Sequence, residues 1–432
     1  MNYSERALAI LKKAGAKEGD TLLVQGNEGE QKGVLMPHHQ FSDPDVIVIK
    51  LKSGYNVGIR LKEGVSISVQ DRAEERARPA RHAKTDAALP TVAIIGTGGT
   101  IASYVDYRTG AVHPALSADD LIAAVPEIST ICNVRAKVLY SIFSENMDCA
   151  AWVGLAQAIV AEIEAGADGV IVPHGTDTMG FTSAALSFML EGLDRPVVLV
   201  GAQRSSDRPS SDAYTNLVAA ARFCATADAS GVFVLMHEGP SDTSALVHLG
   251  TRVRKMHSSR RDAFHSVNAP PVAKVSFEGS VEFLSDHPVR GTGKLVLRDR
   301  MEPKVALLQF YPGMDPESAY AFIRAHRGVV LAGSGLGHVS ANMVGMLAKA
   351  ASNGVAVAMT TQCLYGQVNL NVYATGRDLI NAGAMPCGDT LPETALVKLM
   401  WVLAQTSDAS EVRRLMTSDL RGELSPRREI DG

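Results

Sequence analysis

Short, uninterrupted apolar runs recur through the middle of this chain: Val92–Ile95, Val170–Val172, Val197–Val200 and Val232–Leu235. A strand with one wet face alternates apolar and polar positions. These runs do not alternate, so each is predicted as a strand buried on both faces. Helical-period stretches lie between them, over Ala150–Ala165, Thr182–Leu190 and Ala213–Phe223. Strand-like runs alternating with helices predict an α/β domain over 91–285, with a doubly wound parallel sheet. A polar, Gly-broken stretch, Glu278 to Arg300, reads as a hairpin followed by a crossover, with 286–302 as the connection. A second alternating set (Val305–Phe310, Val329–Ala332, Val355–Met359) predicts a smaller α/β domain over 303–432. Its last dozen residues are polar and read as a loosely held tail.

The first seventy residues follow another pattern. Residues 4–15 form an amphipathic helix by spacing, with Leu8, Ile10 and Leu11 set among Lys and Arg. Strand-like runs Thr21–Val24 and Val46–Ile49 follow, then a hairpin over 50–59 turning near Ser53-Gly54. Short strands at this density predict a small β-barrel or sandwich over 1–70. Asp71–Pro90 is charged and Ala-rich with too little aliphatic surface for a core, and it reads as a linker.

Composition narrows the possibilities without naming a chemistry. A net charge of -4 gives no global field to attract nucleic acid, so any contact with DNA or tRNA has to be local or made through a partner. The N-terminal segment carries charges throughout, no apolar run approaches a membrane span, and the expected setting is the cytoplasm. Cys132, Cys149, Cys224, Cys363 and Cys387 are scattered without a CxxC pair, which argues against metal or disulfide frameworks.

Four polar stretches carry candidate chemistry. Val92–Ile95 runs into Thr97–Ser103 (TGGTIAS), where Gly96, Gly98 and Gly99 permit a sharp turn and Thr100 follows directly. The glycine spacing fails the dinucleotide-binding fingerprint, because the sixth position is Ile101, and no Lys is present for a phosphate loop. What remains is an ordinary strand-to-helix connection or a threonine nucleophile at the carboxyl end of a strand, where open α/β sheets bind ligands. A second buried strand runs into His174-Gly175-Thr176-Asp177-Thr178, where Thr176 and Asp177 are either site residues or a helix N-cap. In Gly250–His257, Lys255 could exchange a proton with a hydroxyl, since lysine loses pKa readily when desolvated. Its basic neighbours equally suit a solvated loop. Ser144–Asp148 offers a hydroxyl and acids suited to an amino acid's carboxylate and ammonium, or a helix cap ahead of Trp152.

Taken together and in this order, TGGTIAS, FSENMD, HGTDTM and GTRVRKMHSSRRDAF resemble the asparaginase family. The resemblance extends through Phe310–Met314, Gly335–His338 and Thr361–Cys363 to Gly383. It implies that Thr100 is the nucleophile and that Thr176, Asp177 and Lys255 are its proton-handling partners. Ser144, Glu145 and Gly99 would bind substrate, Glu145 standing where many asparaginases have Gln. A mobile-loop tyrosine would be Tyr104 or Tyr107. At Leu336 and Gln367–Asn369, the polar residues that bacterial enzymes lend across a subunit interface are not evident.

In the first ninety residues, Gly19-Asp20-Thr21-Leu22-Leu23-Val24, Gly33-Val34-Leu35-Met36-Pro37 and Ile49–Gly58 resemble the front domain of one asparaginase-like subfamily, the D subunits of archaeal glutamyl-tRNA(Gln) amidotransferases. That resemblance implies glutamine hydrolysis by this chain, with no metal or cofactor of its own. It implies a partner E subunit that handles tRNA(Gln) and uses ATP and Mg, and a homodimer of this chain at the centre of the assembly. The alternatives are a free-standing L-asparaginase or glutaminase and a catalytically idle scaffold.

Overall fold

The computed structural model describes residues 3–26, 29–36, 43–51, 56–62, 64–72, 86–98, 103–105, 112–114, 126–204, 211–291 and 293–425. The front unit begins with a helix, Glu5–Ala14. Ser4 caps it by accepting from the Ala7 amide, and Gly15 ends it in the left-handed conformation (φ 62°) that glycine adopts without strain. Five strands follow: β1 (Thr21–Gly26), β2 (Gly29–Leu35), β3 (Val46–Leu51), β4 (Asn56–Arg60) and β5 (Ser66–Asp71). They form one antiparallel sheet in the order β4-β3-β2-β1-β5. Among the described residues β4 and β5 do not pair, so the unit expected as a small barrel or sandwich is one antiparallel sheet left open between them. Ala7 and Leu11 of the helix share a core with Leu22, Val24, Leu35, Ile47, Ile49 and Leu61.

The large unit is an eight-stranded sheet. Its strands are β6 (Thr91–Gly96), β9 (Asn133–Val138), β10 (Gly169–Pro173), β12 (Pro196–Val200), β13 (Gly231–His237), β14 (Ser244–Leu249), β17 (Ala273–Ser276) and β18 (Val281–Phe283). Shorter strands intervene as side ribbons or pairs: β7 (Ser103–Val105), β8 (Val112–Pro114), β11 (Leu190–Glu191), and the couple β15 (Val253–Lys255) and β16 (Phe264–Ser266). The order is β18-β17-β14-β13-β12-β10-β6-β9. β6, β10, β12 and β13 run parallel, as the buried runs predict, and β9, a half-buried strand that no apolar run marks, joins them at one edge. β14, β17 and β18 instead add antiparallel strands at the other edge. The connection at 238–243 is too short for a crossover, so β14 can only return beside β13 in the opposite sense. The hairpin expected within Glu278–Arg300 begins earlier, as the β17–β18 pair turning at 277–280, and it belongs to this sheet.

Both faces of the sheet are covered. Val92 and Ile94 of β6 enter one apolar cluster, with Ile171 and Val198. Ala93 and Ile95 enter the other, with Val170, Val172 and Leu199. This is why these strands carry no polar alternation. The helix Met179–Met189 lies on the second face.

β19 (Val296–Leu297) pairs with β11 and leads into the smaller unit. There β20 (Val305–Gln309), β21 (Gly328–Gly333), β22 (Ala356–Thr361) and β23 (Met385–Pro386) form a parallel sheet in sequence order. The core of the large unit's second face runs on into Val330, Ala358, Leu399 and Trp401 of this smaller unit. The helix Pro392–Gln405 supplies the seam, with Trp401 stacked at 6.0 Å between ring centres on Phe188 of the Met179–Met189 helix.

Residues 421–425, the first part of the expected loose tail, are anchored, and 426–432 lie outside the described residues. Glu423 is fully buried against Lys398 at 2.5 Å, and Arg421 Nε donates to Ser187 O of the large unit. Polarity here marks buried ion pairing, which composition alone cannot tell from a solvated tail.

Candidate active site

Strands β6 and β10 are parallel neighbours, with Ala93 opposite Val170 and Ile94 opposite Ile171, so their carboxyl ends open on the same crevice. The Thr97 amide and hydroxyl both donate to Pro173 O, at 3.2 and 2.9 Å. Gly98 follows with φ 108°, and a Cβ there would stand 2.2 Å from Ile142 O, so the position admits no side chain. Ile142 brings in the third segment. Its continuation, Ser144–Asn146, packs on the second motif so tightly that a Cβ on Gly175 would lie 2.6 Å from Ser144 Cβ. Thr178 Oγ1 donates to Ser144 O at 2.7 Å.

The geometry removes the cap reading of Thr176 and Asp177. The helix starts at Met179, three residues earlier than its apolar spacing suggests, and Thr178 is its N-cap position. Neither Thr176 nor Asp177 caps it. Both accept hydrogen bonds from Lys255 Nζ, at 2.8 Å to Thr176 Oγ1 and 2.7 Å to Asp177 Oδ1. Lys255 closes the three-residue strand β15 and its side chain is 14% exposed, whereas that of Asp177 is 69% exposed. This arrangement can pass a proton between a lysine nitrogen and a threonine oxygen, with a carboxylate placed to balance charge. In the Ser144–Asp148 stretch the cap is Asp148, which accepts from the Ala151 amide at 2.8 Å. Ser144 is buried and Glu145 is exposed beside the crevice.

Gly99, Thr100 and Tyr107 lie outside the described residues. Tyr104 is on β7, of which only the backbone is described. In the small unit, Leu336 is half-buried in a turn between Gly335 and Gly337, and its carbonyl accepts from the Asn369 amide at 3.0 Å. Among the described residues no three His, Cys, Asp or Glu side chains are grouped to hold a metal. No helix there is long and apolar enough to cross a membrane.

Two features were not singled out from sequence. His174 sits directly under the Thr176 turn, 1% exposed, and its hydrogen bonds define its tautomer. The Gly175 carbonyl can only accept, so His174 Nδ1–H donates to it at 2.7 Å. In the neutral ring Nε2 then accepts from the Thr182 hydroxyl at 2.9 Å, while the Trp152 indole N–H gives to Thr182 Oγ1 at 2.9 Å. Burial lowers the His174 pKa from 6.5 to about 4, only partly opposed by the Gly175 bond, so the ring is neutral. The second feature is Arg252, buried behind Lys255 and paired with Asp389 of the small unit at 2.9 Å. In sequence it was one basic residue among several.

Comparison with known proteins matches these units. The family model described as "Asparaginase, N-terminal" matches residues 91–289, and "Glutaminase/Asparaginase C-terminal domain" matches 304–416. "GatD N-terminal domain" matches 16–69. The glutamyl-tRNA(Gln) amidotransferase D subunit of Pyrococcus furiosus is 49% identical over 431 residues, covering 98% of both chains. The protein of the same name from Methanothermobacter thermautotrophicus is 46% identical, over 100% of this chain and 99% of its own. Among solved structures, the thermostable L-asparaginase from Thermococcus kodakarensis aligns with a TM-score of 0.70 and 34% identity. It is covered in full by 78% of this chain. With near-complete coverage in both directions and all three units matched, this chain belongs to the family of glutamyl-tRNA(Gln) amidotransferase D subunits.

Proposed function

We propose that this chain is the glutamine-hydrolysing subunit of a tRNA-dependent amidotransferase. It releases ammonia with which a partner subunit converts Glu-tRNA(Gln) to Gln-tRNA(Gln) at the expense of ATP. The observation that carries the reading is the Lys255 bridge to Thr176 and Asp177 in a chain that matches the D subunits from end to end. The L-asparaginase likeness supports the same hydrolytic chemistry, but it leaves the remainder of this chain without a counterpart.

In this reading the Thr100 oxygen attacks the side-chain amide carbon of glutamine. Its proton passes to the Thr176–Lys255–Asp177 group, and backbone N–H groups of the glycine-rich turn at Gly99 meet the tetrahedral oxyanion. The relay returns the proton to the departing nitrogen, ammonia leaves, and water cleaves the resulting Thr100 ester to release glutamate. Ser144 and Glu145 hold the substrate's carboxylate and ammonium ends. Activation of the tRNA-borne glutamate with ATP and Mg belongs to the partner E subunit, which sits on a homodimer of this chain in the cytoplasm. This chain needs no cofactor or metal of its own.

The test separates ammonia production from ammonia use. Thr100→Val keeps β-branching and removes the attacking hydroxyl. With the partner present, the variant should make no Gln-tRNA from glutamine yet still make it from free ammonium. Formation of Gln-tRNA from glutamine at the wild-type rate would remove Thr100 from the mechanism, and loss with both nitrogen donors would refute the division of labour.

A further inference from the structure

Lys255 rides on a weak platform. β15 is three residues long and, among the described residues, pairs with β16 alone, also three residues, in a separate two-stranded ribbon. A two-stranded ribbon is marginal by itself in water; burial of Val253 and Phe264 in the large core holds this one, and a polar cluster fixes the residues that lead into it. Arg252, three residues before Lys255, is 2% exposed, and its guanidinium is occupied on several sides. Nε donates to Gly422 O at 2.6 Å, Nη1 to Asp389 Oδ2 at 2.9 Å and Nη2 to Ser425 Oγ at 2.9 Å. Asp389 Oδ1 accepts from the Ser425 amide at 2.9 Å, closing the ring.

Neighbouring bonds tie the same spot to three parts of the chain. Thr251 Oγ1 donates to Arg421 O at 3.0 Å, and Thr394 Oγ1 of the small-unit helix donates to Thr251 O at 2.9 Å. The Val267 amide donates to Arg252 O at 2.8 Å. Asn268, which holds a positive φ of 57°, reaches Asp389 O at 2.9 Å from the next turn. These bonds converge on Thr251 and Arg252, which lead into β15, and on Asp389, which holds Arg252.

We propose that Arg252, clamped by Asp389 and by the C-terminal segment Arg421–Ser425, is the positioning residue for Lys255. The small unit and the chain's end are thereby part of the proton-relay assembly of the large unit. A catalytic group displaced by about 1 Å can cost on the order of a hundredfold in rate, so loosening the clamp should be read in turnover before binding. Lysine cannot replace Arg252, because a single ammonium does not present donors as a planar fork in three fixed directions. The kinetic part of this proposal rests on the amide-hydrolysing reading. The conformational part does not.

The experiment compares the full-length wild type with Arg252→Lys and Ser425→Ala. Glutamine hydrolysis is expressed per folded chain, and hydrogen–deuterium exchange is followed over residues 251–256. Arg252→Lys should lower kcat at least about tenfold with KM within about threefold, and should speed exchange across β15. Ser425→Ala, which removes one acceptor, should shift both readouts in the same direction by less. A folded Arg252→Lys chain with wild-type kcat, or an activity loss that merely tracks the unfolded fraction, overturns the proposal. If Arg252→Lys does not fold, unchanged kcat and exchange in Ser425→Ala overturn it. A wild-type chain inactive on glutamine would count against the hydrolytic function instead. The exchange measurement would then decide the clamp, with unchanged exchange in both variants refuting it.

Discussion

Replacing Lys255 by methionine separates a structural lysine from a proton-carrying one, because the two roles differ in magnitude. The ion pair with Asp177 is 2.7 Å long, but that carboxylate is 69% exposed, so solvent screens it. Pairs of this kind contribute about 0–1 kcal/mol. Methionine retains most of the apolar stem, and the Thr176 hydroxyl loses one donor at about 1 kcal/mol. The unfolding free energy should therefore drop by no more than roughly 2 kcal/mol. Catalysis should suffer more, since a positioned acid–base group contributes about 10²–10⁴ in rate, or roughly 3–5 kcal/mol of barrier.

The assay is ammonia release from glutamine, with denaturant unfolding of the same preparations. Lys255→Arg supplies the discriminating arm. Arginine keeps the charge and can reach both oxygens, but its guanidinium does not give up a proton in proteins. If Lys255 moves a proton, both variants lose hydrolysis while remaining folded. Near-wild-type turnover in either variant would refute the relay. A stability loss well beyond about 2 kcal/mol with turnover intact would make Lys255 a structural residue.

Other consequences follow from the same geometry. Gly175→Ala places a Cβ 2.6 Å from Ser144 Cβ, so it should abolish hydrolysis at a stability cost of about 1–3 kcal/mol; full activity would show that the two loops can separate freely. Lys398→Met strands the fully buried Glu423 carboxylate and should cost about 3–5 kcal/mol in denaturant unfolding, with much of it recovered in Lys398→Met/Glu423→Gln; no recovery would refute the pairing argument. Burial alone would raise the Glu423 carboxyl, but the charge and hydrogen bond of Lys398 outweigh it and hold it below 4.5. The pair's contribution is therefore present above that value and lost as pH falls through the depressed one. His174 and His248 are pushed by burial from 6.5 to about 4 and about 3, so both are neutral when folded. Their contribution is complete above pH 6.5 and lost on acidification, roughly 3 kcal/mol for His174 by pH 4, and an unfolding midpoint unchanged between about pH 7 and 4.5 would refute it.

The sequence by itself determined the α/β architecture and drew the candidate site residues into one hypothesis. Strands buried on both faces have to be continuously apolar, and Val92–Ile95 and Val170–Val172 carry that constraint openly. The turns at their ends are recorded in Gly98 and Gly175, where any side chain would collide with Ile142 or Ser144. Motif order then drew Thr176, Asp177 and Lys255 into one hypothesis. Local pattern had no hold on the partner of each polar group, because partners lie far apart along the chain. Thr176 and Asp177 read as well as a helix cap until Lys255, 78 residues beyond Asp177, was seen to bond both. Arg252 was one basic residue in a basic run, and Arg421–Ser425 a polar tail, until folding closed them on each other across 170 residues. Buried charge pairing and solvated polarity have the same composition. Only the tertiary structure, which excludes water from one and not the other, tells them apart.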